Sequence, residues 1–159
     1  MKYLILLWVT LGSLLIVSYN QPFTKLDTKN TPTVEALMED HQWQDRVLLI
    51  FSPNAEDTEL IQQVDNLSGM GAGMSARDLV VWKLLKDGVV SINGSVSSNL
   101  SSQDFYDYFA IKDAEFTVIL LGKDGTEKLR LTQPVTSHGL FSLIDAMPMR
   151  QQEMRQRGR

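Results

Sequence analysis

The chain has 159 residues, of which 43% are hydrophobic and 21% charged, and these values are typical of a globular protein. This length accommodates one domain of ordinary size. The 19 acidic residues outnumber the 15 basic ones and give a formal charge of −4, which argues against nucleic acid as a partner because phosphate binding requires clustered Lys and Arg. No cysteine is present, so disulfide bonds and redox chemistry through thiols are excluded.

The N-terminal residues have the pattern of an export signal. Lys2 supplies a positive charge, and residues 3–17 then contain no charged side chain. This apolar run is shorter than the roughly 20 residues of a helix that spans a membrane comfortably. Small residues are scarce where a signal peptidase would cleave, so residues 1–20 are predicted to be either a signal peptide or an N-terminal membrane anchor. A membrane is expected as a partner only through this segment, if it stays uncleaved.

The rest of the chain divides by composition. Residues 21–34 are rich in Asn, Thr, Pro and Lys without hydrophobic periodicity, and they are interpreted as a tether. Residues 35–155 are interpreted as the folded domain, and residues 156–159 as a basic tail. The last ten residues hold four Arg against one Glu, so they form either a solvated end or a docking segment for an anionic surface.

Folding signals begin with a helical turn at residues 34–38. The next apolar run, residues 46–51, predicts a central strand buried on both faces. A turn at residues 52–54 ends this strand, and Asn54 is predicted to cap a helix over residues 55–67. After a glycine-rich break, a second buried strand is predicted over residues 78–85.

The second half of the domain predicts a helix, a hairpin and a final helix. Residues 87–98 are rich in Ser and Gly and predict a long loop, with a short strand within residues 89–92 as one option. A helix opens at residues 101–104. Strands at residues 116–121 and 127–131 are then joined by a turn in which Asp-Gly favours a tight hairpin. The final helix is predicted to start near Thr136 or Ser137.

This order of elements predicts the fold. Two strands joined by a helix are expected to be parallel, with a right-handed crossover. The last two strands form a hairpin and are therefore antiparallel. We predict an α/β protein with a thioredoxin-like fold, in which a mixed four-stranded sheet carries helices on both faces.

Four motifs carry a resemblance to a known family. They are RVLLIFSPNAED at residues 46–57, the dipeptide Arg77-Asp78, VILLGKDGTEKLRL at residues 118–131 and LIDAMPMRQQEM at residues 143–154. The region from about residue 43 to residue 155 resembles a thioredoxin-like, peroxiredoxin-like domain of unknown function. That domain occurs in small exported bacterial proteins and is repeated in vertebrate matrix proteins such as equarin and the sushi-repeat-containing proteins. The resemblance implies a peroxiredoxin-like fold and brings no established activity.

The resemblance also implies a position for a redox site. Redox-active relatives hold the reactive cysteine just after the first central strand, at a helix N-terminus that lowers the thiol pKa. This sequence has Ser-Pro-Asn-Ala at residues 52–55 instead. Such relatives also usually place a cis-proline before the third strand, whereas residues 113–116 contain no proline. Both parts of the redox site are absent, and no cofactor is expected.

Other kinds of site are supported by weaker patterns. Ser52 would need a neighbouring base to act as a nucleophile, and neither His41 nor His138 lies in a recognisable catalytic motif. Ser52 is therefore interpreted as a turn and capping residue. Glycines within residues 69–73 follow a helix and precede a strand, which is the reverse of a phosphate-binding loop. No metal site is predicted, because the helix dipole explains the acidic residues of the first helical turn.

We predict that the chain is a non-catalytic binding module that acts outside the cytoplasm, either periplasmic or secreted. Its partner is expected to be an unidentified protein or a component of the envelope or matrix. The alternative is an enzyme of unknown, thiol-independent chemistry at the edge that follows the first central strand. The candidate binding residues lie at this edge and near other strand ends, and they are Ser52, Asn54, Glu56, Asp57, Arg77 and Lys123.

The motif at residues 146–150 predicts local structure. Pro148 is expected to end the preceding helix and to begin a new one, because proline is accepted only in the first helical turn. Met147 and Met149 are then expected to pack onto the domain. Arg150 is expected to reach a carboxylate of the body, such as Asp145, and residues after about 155 are expected to be dispensable for folding.

Overall fold

The computed structural model of the protein describes residues 31–112 and 115–158. The predicted N-terminal segment, residues 1–20, lies outside the described residues. Among the described residues, no helix is long and apolar enough to cross a membrane. The helices are α1 (Val34–His41), α2 (Thr58–Leu67), α3 (Gly71–Ser75), α4 (Ser102–Tyr108), α5 (Ser137–Asp145) and α6 (Pro148–Arg157). The strands are β1 (Arg46–Ser52), β2 (Leu79–Leu85), β3 (Val90–Ile92), β4 (Ser95–Ser97), β5 (Thr117–Leu121) and β6 (Glu127–Leu131).

The strands form one mixed sheet in the order β4-β3-β2-β1-β5-β6. β1 and β2 are parallel, whereas β1 with β5 and β5 with β6 are antiparallel. The parallel pair and the final hairpin confirm the sequence prediction. The sheet has six strands in the described residues, so the predicted number of four was too small.

The two additional strands, β3 and β4, form a hairpin within the predicted long loop. Asn93 and Gly94 connect them, with φ of 47° and 85°. Positive φ at both central residues is the geometry of the tight turns that match the twist of a hairpin, and Asn-Gly favours it strongly. The sequence analysis missed β4 because Ser95, Val96 and Ser97 bury little apolar surface and therefore show almost no hydrophobic pattern.

Apolar cores lie on both faces of the sheet, as predicted. Alternate residues of each strand point to opposite faces, so β1 directs Leu49 and Phe51 to one core and Leu48 and Ile50 to the other. The first core includes residues of α1 and α4. The second core includes residues of α2 and α5.

The start of α2 differs from the prediction. The helix begins at Thr58, and its N-cap is Asp57, whose carboxylate accepts a hydrogen bond from the Glu59 amide. Asn54 does not cap this helix. Its side-chain oxygen instead accepts a hydrogen bond from the Glu56 amide, which stabilises the turn between β1 and α2.

Candidate functional site

Ser52 lies at the C-terminal end of β1, where redox-active relatives were expected to hold their cysteine. Its side chain is 0% exposed, and its Oγ lies 2.7 Å from Asp57 Oδ2 and 3.0 Å from the Asn54 carbonyl oxygen. The buried Tyr106 hydroxyl donates a hydrogen bond of 2.8 Å to the Ser52 carbonyl. Ser52 is therefore held through both its side chain and its backbone within the turn, as predicted, but the predicted capping role belongs to Asp57.

The loop that follows Ser52 presents acidic side chains. Asn54 and Glu56 are exposed, Asp57 is half-buried because it caps α2, and Glu59 is exposed in the first helical turn. We call these four residues the acidic edge. Their position at a helix N-terminus is electrostatically favourable, because the helix dipole places partial positive charge there.

Polar residues from two other elements lie beside the acidic edge. The Lys86 amide, directly after β2, donates to the Ser52 carbonyl at 3.0 Å. The Lys86 ammonium lies 2.6 Å from Gln103 Oε1, and Gln103 in turn donates to Asp107 in α4. Lys86 also lies over the Tyr106 ring, 5.0 Å from its centre. The Lys86 side chain is thus held by the Gln103 amide oxygen and the face of the Tyr106 ring.

Two of the six candidate residues lie elsewhere. Arg77 precedes β2, which runs parallel to β1, so it lies at the opposite end of the sheet from Ser52. Lys123 follows β5, whose last residue Leu121 pairs with Val47 near the start of β1. The structure therefore groups Ser52, Asn54, Glu56 and Asp57 at one end and places Arg77 and Lys123 at the other.

Arg77 and Lys123 take part in a network of ion pairs centred on Arg46. The Arg46 side chain is 1% exposed and binds Glu153 at 3.0 Å and the Arg77 carbonyl at 2.8 Å. The Lys123 ammonium lies 3.2 Å from Glu153 and 2.8 Å from Asp78. These contacts attach α6, through Glu153, to the N-terminal ends of β1 and β2.

Other members of the network join α5 to α6. Asp145 accepts hydrogen bonds from Arg77 and, at 3.1 Å, from Arg150 Nε. Arg157 reaches Asp78 at 3.2 Å and the Ala76 carbonyl at 2.8 Å. The ion-pair network thus has five basic and three acidic members, namely Arg46, Arg77, Lys123, Arg150, Arg157, Asp78, Asp145 and Glu153.

The carboxylates of the network have lowered pKa values. Burial alone would raise the pKa of Glu153, but hydrogen bonds and charge from Arg46 and Lys123 outweigh it and hold the pKa below its usual value. Asp145 shows the same balance between burial and its two arginine partners, so its pKa is also lowered. These three carboxylates, Asp78 included, remain ionised at neutral pH.

Neither histidine supplies a base for Ser52. His41 Nδ1 pairs with Asp45 at 2.9 Å, near the start of β1, which is the opposite end from Ser52. His138 is exposed at the start of α5. Within residues 31–112 and 115–158, no group of three or more acidic or histidine side chains is placed to hold a metal ion.

Sequence reasoning missed a buried polar residue in α2. Gln63 is 0% exposed, and its amide donates to the Val135 carbonyl at 3.1 Å and accepts from the Val135 N–H at 2.8 Å. These two hydrogen bonds fix the loop that leads to α5. The available signal was that Gln63 lies on the same helical face as Leu60 and Leu67, both of which are buried.

A mixed sheet with helices on both faces and a buried serine at the thiol position defines a cysteine-free protein of the thioredoxin-like class. The chain belongs to the family described as "Domain of unknown function (DUF4174)", whose model matches residues 37–153. This match confirms the family resemblance found in the sequence.

Curated relatives are similar to the chain in sequence, and a solved structure is similar to it in fold. The chain is 30% identical to Coiled-coil domain-containing protein 80 of Danio rerio, with 77% of this chain and 16% of the relative covered. It is 23% identical to Sushi repeat-containing protein SRPX2 of Xenopus laevis, with coverage of 80% and 28%. The chain therefore spans less than a third of the length of these relatives. Prx1a of Plasmodium yoelii aligns with a TM-score of 0.50 at 13% identity, over 72% of this chain and 80% of that one, which confirms the thioredoxin-like fold.

Proposed function

We propose that the chain is a non-catalytic thioredoxin-like binding module that acts outside the cytoplasm. The observation that carries this proposal is the burial of Ser52, which is fully buried and donates a hydrogen bond of 2.7 Å to Asp57. A side chain used in this way stabilises the loop and is not accessible to a substrate. An enzyme at this edge would need an accessible nucleophile or an acid and base pair around a substrate.

The acidic edge is the surface that we assign to the partner. Asn54, Glu56 and Glu59 are exposed there, and carboxylates from the neighbouring α4 extend the negative charge. A partner protein, or an envelope or matrix component, with a basic surface would be complementary to this edge. Such complementarity acts mainly on the rate of association and on specificity, and it weakens with added salt.

Affinity capture from the envelope or extracellular fraction of the source cells tests the binding role. The wild-type chain is expected to retain a partner that Glu56→Lys loses, because the substitution reverses the charge of an exposed residue on the acidic edge. The matched control is Asp40→Lys, which makes the same change on an exposed residue of α1 near the other end of β1. Equal loss in both variants, or in neither, would contradict the assignment of the acidic edge.

A reporter fusion tests the cellular location. A reporter enzyme that is active only outside the cytoplasm is fused after Gln21, and we expect it to be active. The matched control is the same fusion without residues 1–20, for which no external activity is expected. Fractionation of the full chain with cytosolic proteins would contradict the export proposal.

A further inference from the structure

One face of the sheet is covered only in part. α2 and α5 contribute to the core over β1 and β5, whereas Val81 and Lys83 of β2 are only half-buried on the same face. A groove of about 760 Å³ lies there, between the helices α2 and α3 and the strands β2 and β3. This volume is within the range of small-molecule sites, roughly 300 to 1,000 Å³.

The groove has aliphatic walls. Val64 of α2 is 49% exposed, although the helical period places it beside Leu60 and Leu67, which are buried. No aromatic residue is found among the residues that line the groove, and its apolar members are Ile50, Val64, Leu67, Met74, Leu79, Val80 and Val81.

A single lysine, Lys83, lies among these aliphatic residues. Lys83 is half-buried in the middle of β2, and its neighbours across the sheet are Ile50 and Ser91. Its ammonium has no ion-pair or hydrogen-bond partner among the described residues. Every other lysine in that part of the chain has an acidic or amide partner, and these lysines are Lys86, Lys112, Lys123 and Lys128. An unpaired cation on an apolar surface is complementary to an anionic group.

The charges along the groove give the ligand a direction. Asp45 and Asp78 line that end. Five residues of extended strand separate Asp78 from Lys83, which is about 16 Å. Both aspartates already have basic partners, since Asp45 is bonded to His41 and Asp78 is ion-paired with Lys123 and Arg157. Lys83 is the only basic residue among the described residues that line the groove, so an anionic group binds there and an aliphatic chain attached to it would extend along Val81 and Leu79.

We propose that this groove binds an aliphatic carboxylic acid, with the carboxylate on Lys83 and the hydrocarbon chain against Val64, Met74, Leu79 and Val81. The groove is separate from the acidic edge, so this inference goes beyond the proposed function and does not depend on it. Apolar burial supplies the affinity for the chain, and the charged hydrogen bond to Lys83 selects the carboxylate.

Calorimetric titration of the full chain with laurate below its micelle concentration tests the proposal. Laurate is expected to bind with a stoichiometry of one, and Lys83→Gln is expected to weaken it about tenfold, which is about 1.4 kcal/mol. Lys83→Arg retains the charge and should retain most of the affinity. The matched control Lys112→Gln removes an exposed lysine that does not line the groove and should leave binding unchanged.

Two further ligands identify what the groove selects. Dodecanol has the same hydrocarbon chain without the charge, and its binding should be nearly equal in the wild type and Lys83→Gln. An acetylated peptide of aliphatic and acidic residues tests whether the groove binds a segment of a partner protein instead of a fatty acid. The proposal is overturned if laurate binds equally to the wild type and Lys83→Gln. It is also overturned if the peptide displaces laurate and binds more tightly.

Discussion

Ser52 combines the position of a reactive residue with the environment of a structural one. Its Oγ is buried and bonded within the loop that also places the N-cap Asp57. A thiol at this place would lie near a carboxylate, and a neighbouring negative charge disfavours a thiolate. The helix N-terminus alone therefore does not make this position reactive.

The variant Ser52→Cys is expected to remain without thiol peroxidase activity. In the folded chain its sulfur should react with iodoacetamide far more slowly than in the urea-unfolded chain, because the Ser52 side chain is fully buried. Asn54→Cys is the matched control, since Asn54 is exposed in the same loop and its thiol should react readily. Mass spectrometry measures the rate of alkylation of each thiol, and a peroxide consumption assay measures the peroxidase activity. Rapid alkylation and sustained turnover by folded Ser52→Cys would contradict the prediction.

Gln63 provides a second test at the scale of single residues. Gln63→Leu is expected to lower the free energy of unfolding by about 2 kcal/mol, because the Val135 N–H loses its acceptor in a part-buried place. The exposed neighbour Gln62 gives the matched control, and Gln62→Leu should change stability by less than about 0.5 kcal/mol. Urea unfolding measures both variants. Similar stability of the two would show that the Val135 contact is not important.

The helix α6 was largely predictable from its first residues. Pro148 occupies the first turn of α6, and Arg150 binds Asp145, both as predicted. Met147 packs against the core shared by α2 and α5. The expectation for Met149 was wrong, because it is 37% exposed and belongs to neither apolar core. Whether residues after 155 are dispensable stays a prediction, although α6 continues to Arg157 and Arg157 contacts Asp78.

Glu153 is the member of α6 that holds the buried Arg46. Glu153→Gln is expected to cost about 2 kcal/mol or more of unfolding free energy, because it leaves a charge that is 1% exposed without its acidic partner. Glu127→Gln breaks an exposed pair with Arg130 and should cost less than about 1 kcal/mol. Urea unfolding of both variants makes the comparison. An equal and small effect would mean that Arg46 is solvated by other groups.

Periodicity and turn residues predicted the elements, whereas the ion-pair network could not be predicted. Strands such as β1 and β5 are nearly continuous apolar runs, so the local sequence pattern is sufficient to predict them. Arg46 looked like the polar start of a strand, and Glu153 like a residue of a soluble tail. These two residues are 107 positions apart, and only the packing of α6 at the N-terminal end of β1 brings them together. The same reasoning applies to Lys123, whose contacts with Asp78 and Glu153 join residues that are far apart in the sequence.

At the scale of the whole molecule, the two ends of the sheet differ in charge. The acidic edge lies at the C-terminal end of β1. The ion-pair network at the other end has five basic and three acidic members and therefore a surplus of two positive charges. A charged partner would therefore be attracted to one end of the sheet and repelled by the other, even though the formal charge of the chain is only −4.

The ion-pair network also determines how stability depends on pH. The pKa values of Asp78, Asp145 and Glu153 are lowered in the folded chain, since bonds and charge from their basic partners outweigh the effect of burial. Their ordinary values are 3.8 for Asp and 4.5 for Glu, so the unfolded chain binds protons first as the pH falls. The contribution of these groups is therefore complete above about pH 5 and is lost as the pH falls through their folded pKa values.

We accordingly expect these carboxylates to contribute no change in melting temperature between neutral pH and about pH 5, and a progressive fall below that. Differential scanning calorimetry across this range measures the effect. In Glu153→Gln the acid-induced fall should be smaller, because one of the three groups no longer takes up a proton. Glu127→Gln, whose carboxylate lies in an exposed pair with Arg130 on β6, should retain the wild-type slope. A fall that is equally steep in wild type and Glu153→Gln would contradict the prediction and place the acid sensitivity outside the network.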